Sequence, residues 1–254
     1  VTPTCHIRLA VAVVGLVAAA CSYQADNPAT DPVAAPATQN NEQPMTTGPS
    51  VTTPTTTPAP AAPAVFRAAV HLIDAAIADR MTSSWRSGCP VPLEDLRLLT
   101  ISHWGFDDQP QQGHLVVHAD DADDIAAVFR ALYDARFPIE QIRLVDEFGG
   151  DDDRSMAANN TSGFNCRTAT GSDRWSEHAF GRAIDINPIQ NPYVTGSGAV
   201  LPPMGADHIA RDPRTPGLIT ADGPVVAAFE AIGWVWGGTW VSGKDYQHFS
   251  ATGR

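Results

Sequence analysis

Lysine is nearly absent from this chain of 254 residues: Lys244 stands alone beside fifteen arginines, and the formal net charge at pH 7 is −12. Nucleic acid and anionic membrane surfaces are held by clusters of Lys and Arg, so this balance disfavours both as partners. Long apolar runs are missing as well. The run Leu9 to Ala20 is shorter than the roughly 20 residues a helix needs to cross a bilayer. With His6 and Arg8 ahead of it, it suits the apolar segment of an export signal, residues 1–21, which is set aside from the fold. Residues 22–64, with stretches such as "VTTPTTTPAPAAPA", have almost no large apolar side chains. Such a segment cannot bury enough surface to offset the entropy of ordering, and a disordered, extended tether is expected. No internal repeat is present. Residues 65–254, about 190 residues, remain as one domain of ordinary size.

Cysteine is scarce too, and its placement is informative. Cys5 and Cys21 fall in the signal region. Ala18, Ala19 and Ala20 before Cys21 resemble the lipobox of bacterial lipoproteins, whose cysteine is lipidated, although Ala18 stands where Leu or Val is usual. Ordinary signal cleavage nearby is the alternative. The domain keeps only Cys89 ("SGCPV") and Cys166 ("FNCRT"), which in an exported protein are expected to form one disulfide. Closing that loop stabilises by about 4 to 5 kcal/mol in the chain-entropy model. Metal binding by this pair would need more soft ligands than the sequence offers nearby.

Phe66, Ala69, Val70, Ile73, Ala76 and Ile77 follow helical spacing and predict an amphipathic helix ending near Arg80. "LRLLTISHWGF" and Leu115 to Val117 read as strands. Asp120 or Asp121 then caps a helix carrying Ile125, Val128, Phe129 and Leu132, which stops before Pro138. Ile142 to Val145 reads as another strand, and "GGDDDRSMAANNTSG" as a long loop of the kind that carries function. "GRAIDIN" is a short strand, "DGPVVAAFEAIGW" a helix with Pro224 in its first turn, and "WVWGGTW" and "YQHFS" two short strands. Strands and helices interleave irregularly, which indicates an α+β fold.

Among the eight histidines, the pair in "HLVVH", His114 and His118, lacks the glutamate of HExxH and sits in a β-branched stretch, so it reads as structural. His71 reads as a helix residue, and His103 and His208 as exposed loop residues. His178, Asp185 and His248 differ. Two histidines and a carboxylate are the three-ligand set of a catalytic zinc that keeps one position open. On a strand, Gly181, Ala183 and Asp185 share a face, and the two small residues would leave room beside the carboxylate. A coordinated carboxylate is charge-compensated, which accounts for an aspartate in so apolar a setting. Asp245, three residues before His248, is placed to act as a base, in preference to pairing with its neighbour Lys244.

"SEHAFGRAID" matches Ser-x-His-x-x-Gly-x-Ala-x-Asp without a gap, and "DYQHF" matches the Asp/Glu-x-x-His motif that follows it in the M15 peptidases, which this domain resembles over most of 98–250. "WVWGGTW" resembles the endopeptidase branch, where Trp-Gly-Gly-x-Trp precedes the last ligand. The resemblance implies a Hedgehog/DD-peptidase-like α+β fold with a small, mainly antiparallel sheet. It implies one Zn²⁺ held by His178, Asp185 and His248, with Asp245 as base and Ser176 at the rim of the substrate site. It also implies an upstream arginine for the substrate, best matched by Arg167, with Arg174 and Arg182 as alternatives. The implied activity is hydrolysis of peptidoglycan stem peptides, of L-Ala-D-Glu endopeptidase or D-Ala-D-Ala carboxypeptidase type. A catalytically inactive, zinc-containing wall-binding module of the same fold is the alternative.

Overall fold

The computed structural model describes residues 65–254, so the segments read above as an export signal and a tether, with Cys21, lie outside the described residues. Strands β1 (Ala68–Leu72), β2 (Leu96–Trp104) and β3 (Pro110–His118) form an antiparallel sheet in that order. The long β2–β3 pair is covered on both faces, and its alternation divides the interior. Leu99, Ile101, Leu115 and Val117 enter one core, while Leu96, Leu98 and Val116 enter a second. Helix α2 (Ala122–Asp134) lays Ile125, Val128, Phe129 and Leu132 into the first core. Asp121 is its N-cap by position but makes no side-chain cap bond; His118 accepts from the Asp120 N–H at the preceding turn instead.

The predicted opening helix is not formed. Ala68–Leu72 pairs in register with Arg97 to Ile101, so those residues have cross-strand partners and Val70 and Leu72 lie exposed. Only α1 (Ala75–Ala78) is helical, begun by Asp74, whose carboxylate accepts from the Ile77 N–H. Helical spacing of small apolar residues was overridden by strand pairing with β2. His71 accordingly sits on a strand, beside the Thr100 hydroxyl. His103 is also corrected: it lies within β2, 3% exposed, and burial lowers its pKa. His208 ends a 3-10 turn and is partly buried.

Strand β4 (Gln141–Ile142) is only two residues long, because Val145–Phe148 turns into a 3-10 helix. The expected loop 149–163 holds helix α3 (Asp152–Ala157) and β5 (Asn160–Thr161), the latter parallel to β4. Asp151 caps α3 by accepting from the Arg154 N–H, so a run of three aspartates that looked like loop begins a helix. Beyond it come β6 (Ala183–Asp185), β7 (Tyr193–Val194), β8 (Val200–Leu201) and helix α4 (Pro224–Ala231). Strands β9 (Val235–Trp236), β10 (Lys244–Asp245) and β11 (His248–Ser250) complete the chain. Two further small antiparallel sheets result, β6-β11-β9 and β10-β7-β8. Helix α4 starts at Pro224 as expected and anchors β11 through Phe229, whose ring stacks on Phe249 at 4.1 Å between centroids.

Cys89 and Cys166 are bonded to each other, as expected. Cys166 belongs to the second core with Phe164, Leu144 and Met81, and Cys89 packs against that core, partly buried.

Candidate active site

Strand alternation delivers two of the three proposed ligands. Ile184 and Phe249 point into the first core, so their neighbours Asp185 and His248 turn to the opposite face, and the antiparallel register sets those two directly across from each other. Ala183 shares that face, opposite Ser250. The third ligand comes from the turn before β6. Ser176 caps a 3-10 helix, Glu177–Phe180, by accepting from the His178 N–H at 3.3 Å, and Gly181 ends it with φ +68. Gly181 is a correction to the expectation that it leaves room beside the carboxylate. A Cβ there would meet the backbone N of His118 at 2.7 Å, and the Gly181 carbonyl accepts from that same N–H. Its job is to turn the chain tightly against the end of β3, which aims His178 back over Asp185.

The three side chains are all buried, and one ligand atom from each lies within 4.8 Å of the others. His178 Nε2 is 3.2 Å from Asp185 Oδ2, His248 Nδ1 is 3.0 Å from Asp185 Oδ1, and the two ring nitrogens are 3.3 Å apart. The outer ring atoms settle which nitrogens are free. His178 Nδ1 donates to the Gly163 carbonyl at 2.7 Å, and His248 Nε2 donates to the Arg254 carbonyl at 3.0 Å. A carbonyl only accepts, so these nitrogens carry the protons and the inner ones turn lone pairs toward the carboxylate. Three converging acceptors repel unless a cation sits among them. A metal ion meets that demand, and the donor set of two imidazoles and one carboxylate fits it.

In the absence of a metal, a proton plays the same part. Burial lowers the His248 pKa, but the hydrogen bond and charge of Asp185 outweigh it and push the group up to about 9. Burial would raise Asp185, yet His178 and His248 hold it well below the usual carboxylate range. The opposite shifts are those of a buried imidazolium–carboxylate pair, in which each charge stabilises the other.

Asp245 stands outside the ligand triad but lines the same cavity, of about 600 Å³. Its Oδ1 is shut from solvent and has no hydrogen-bond partner among the described residues. Burial pushes its pKa up to about 7, against the opposing charge of His248. It makes no ion pair with Lys244, as expected of adjacent residues on a strand. Gly237 explains part of the Trp-Gly-Gly-x-Trp run: a Cβ there would meet the Asp245 carbonyl at 2.7 Å and the Asp245 Cβ at 2.9 Å. Trp240 lies with its ring 5.4 Å from that of His248 and donates from Nε1 to the Gly253 carbonyl.

Arg167 lines the cavity, and its Nη2 is 2.7 Å from Asp152 Oδ2. Its Nη1 donates to the Thr168 carbonyl. Asp152, whose own pKa burial raises, was missed in the sequence because it lies in the supposed loop; the signal available was three acids in a row, typical of a helix start. The backbone around Arg167 is tied in three ways: the disulfide at Cys166, Arg86 donating to the Cys166 carbonyl at 2.7 Å, and the Arg167 carbonyl accepting from the Ser176 N–H. Ser176 lines the cavity while capping the turn that bears His178. Arg174 also lines the cavity. Arg182 does not: it bridges to Asp120 and Asp121, ahead of helix α2.

Neither the curated proteins nor the solved structures contain a match to this chain. Residues 170–251 match the model of a family described as D-alanyl-D-alanine carboxypeptidase. That stretch carries His178, Asp185, Asp245 and His248, and the match supports a peptidase of the M15 group.

Proposed function

We propose that the protein is a zinc-dependent peptidase of peptidoglycan stem peptides, built on a Hedgehog/DD-peptidase-like fold. The convergence of His178, Asp185 and His248 on one point, beside an unpaired Asp245 in the same cavity, carries this reading. Those three residues would hold the ion. When bound, zinc supplies positive charge that polarises a peptide carbonyl and makes water acidic near neutral pH. Asp245, with its free Oδ1, accepts the proton of the attacking water and returns it to the leaving amine. Arg167 contributes fixed positive charge on the cavity wall, held there by Asp152.

The description of the matched family favours removal of a terminal D-alanine. The Trp-Gly-Gly-x-Trp run favours cleavage between L-alanine and D-glutamate. The enzyme is exported and anchored through a lipid on Cys21, and it meets the membrane by that anchor alone, facing the cell wall. Digestion of purified muropeptides with and without a chelator tests the reading. Loss of a single alanine identifies a carboxypeptidase, and release of the stem from L-alanine an endopeptidase. Cleavage that survives the chelator would remove the metal from the mechanism.

A further inference from the structure

The cavity wall carries five carboxylates, Asp152, Asp173, Glu177, Asp185 and Asp245, and three arginines, Arg167, Arg174 and Arg254. With a chain charge of −12, an anionic group on a substrate is repelled unless a local cation receives it. The Arg167 guanidinium is already engaged: Nη2 is bridged to Asp152, Nη1 is bonded to the Thr168 carbonyl, and Nε is shut from solvent. Arg174 is exposed and forms no ion pair among the described residues. Its backbone is fixed all the same. The Arg174 carbonyl accepts from the Ala169 N–H at 2.8 Å, its own N–H donates to Ser172 Oγ at 3.1 Å, and Thr168 and Trp175 bridge to close the hairpin. Two residues on, Ser176 caps the turn that bears His178. Arg174 is therefore an exposed guanidinium on the cavity wall, carried by a backbone held in place two residues before the turn that bears His178.

Resting on the peptidase reading above, we infer that Arg174 selects acidic substrates by taking a carboxylate of the peptide remote from the bond being cut. Arg167 supplies charge near the reacting centre, and Arg174 reads the substrate at the mouth. Arg254 also makes no side-chain ion pair among the described residues, but its carbonyl is occupied by His248 and Ser250, and it serves as the control.

The test uses peptide pairs that differ only in one internal carboxylate, acid against carboxamide, with the terminal carboxylate unchanged. Wild-type enzyme is expected to prefer the acid by about fivefold to tenfold in kcat/KM, mainly through KM. Arg174→Gln should bring the preference below about twofold with metal content unchanged, and Arg254→Gln should keep it. Binding of the same pair to metal-free wild type and Arg174→Gln, measured by calorimetry, should show the same loss without turnover. An active wild type with no preference, or a preference that persists in Arg174→Gln or disappears in Arg254→Gln, would overturn the inference and leave the peptidase reading standing. A wild type that cleaves no peptide with any divalent metal sinks that reading and this inference together.

Discussion

Asp185 and His248 face each other directly across two antiparallel strands, with Nδ1 3.0 Å from Oδ1. This pairing brings together residues far apart in sequence without any loop having to carry them. It also places both side chains opposite a core of Ile184 and Phe249, so the packing that stabilises β6 and β11 fixes Asp185 and His248.

Removing the carboxylate at the centre should remove the metal. Asp185→Ala leaves two imidazoles without the charge that compensates a buried cation, and bound zinc should fall by at least about tenfold. Elemental analysis after dialysis, beside a circular dichroism spectrum to show that the fold persists, checks it.

The metal-free protein should lose stability as pH rises. His248 is raised from 6.5 to about 9 and Asp245 from 3.8 to about 7, each above its unfolded value. Each contribution is therefore complete below the unfolded pKa and lost as pH climbs through the folded one. Asp245 acts from about pH 4 to 7 and His248 from about pH 6.5 to 9. Melting curves in chelator should shift downward across that range. Zinc takes the place of the His248 proton, so the loaded protein should show a much flatter upper half.

Asp245→Ala should reduce turnover by about 10² to 10⁴ while zinc stays bound. In the loaded enzyme the cation lowers Asp245 from about 7, so the acid limb of kcat/KM should fall below neutral pH. Full activity in Asp245→Ala, with one zinc per chain, would dismiss the base assignment.

Gly237→Ala probes the same base from the neighbouring turn. Its new methyl would press on the Asp245 backbone and Cβ. Activity should drop by about tenfold or more, since small displacements of a catalytic group are costly, while zinc affinity is retained.

Replacing Cys89 and Cys166 together by alanine opens a closure spanning 77 residues. A loss of about 4 to 5 kcal/mol is expected from chain entropy. Denaturant titration measures it. A fall in kcat should accompany it, because Arg167 follows Cys166 directly.

The convergence of His178, Asp185 and His248 was legible because alternation and one turn, both local, place the first two, while the third came from the Asp-x-x-His motif of the family the chain resembles. The helix expected over 66–80 failed because its fate was decided by β2, a strand some twenty residues further on. His103 looked exposed because it is followed by a turn, but nine residues of continuous pairing with β3 keep it inside. Asp152 was hidden by composition: acids and glycines suggest a loop, and nothing local shows that a helix start there meets Arg167 from a distant segment. Gly181 was read for its small size, whereas its positive φ and contact with His118 are what the fold requires.

The two cores on either face of the β2–β3 pair have different tenants. The first contains Ile184, Ile186 and Phe249, the backing of Asp185 and His248, and the second contains Phe164 and Cys166, the backing of Arg167. The strands bearing Asp185 and His248 are thus backed by one packing unit and the segment bearing Arg167 by the other, and both reach the same cavity. A substitution in the second core can therefore shift Arg167 without disturbing the pairing of Asp185 with His248, which lets the two walls of the cavity drift independently.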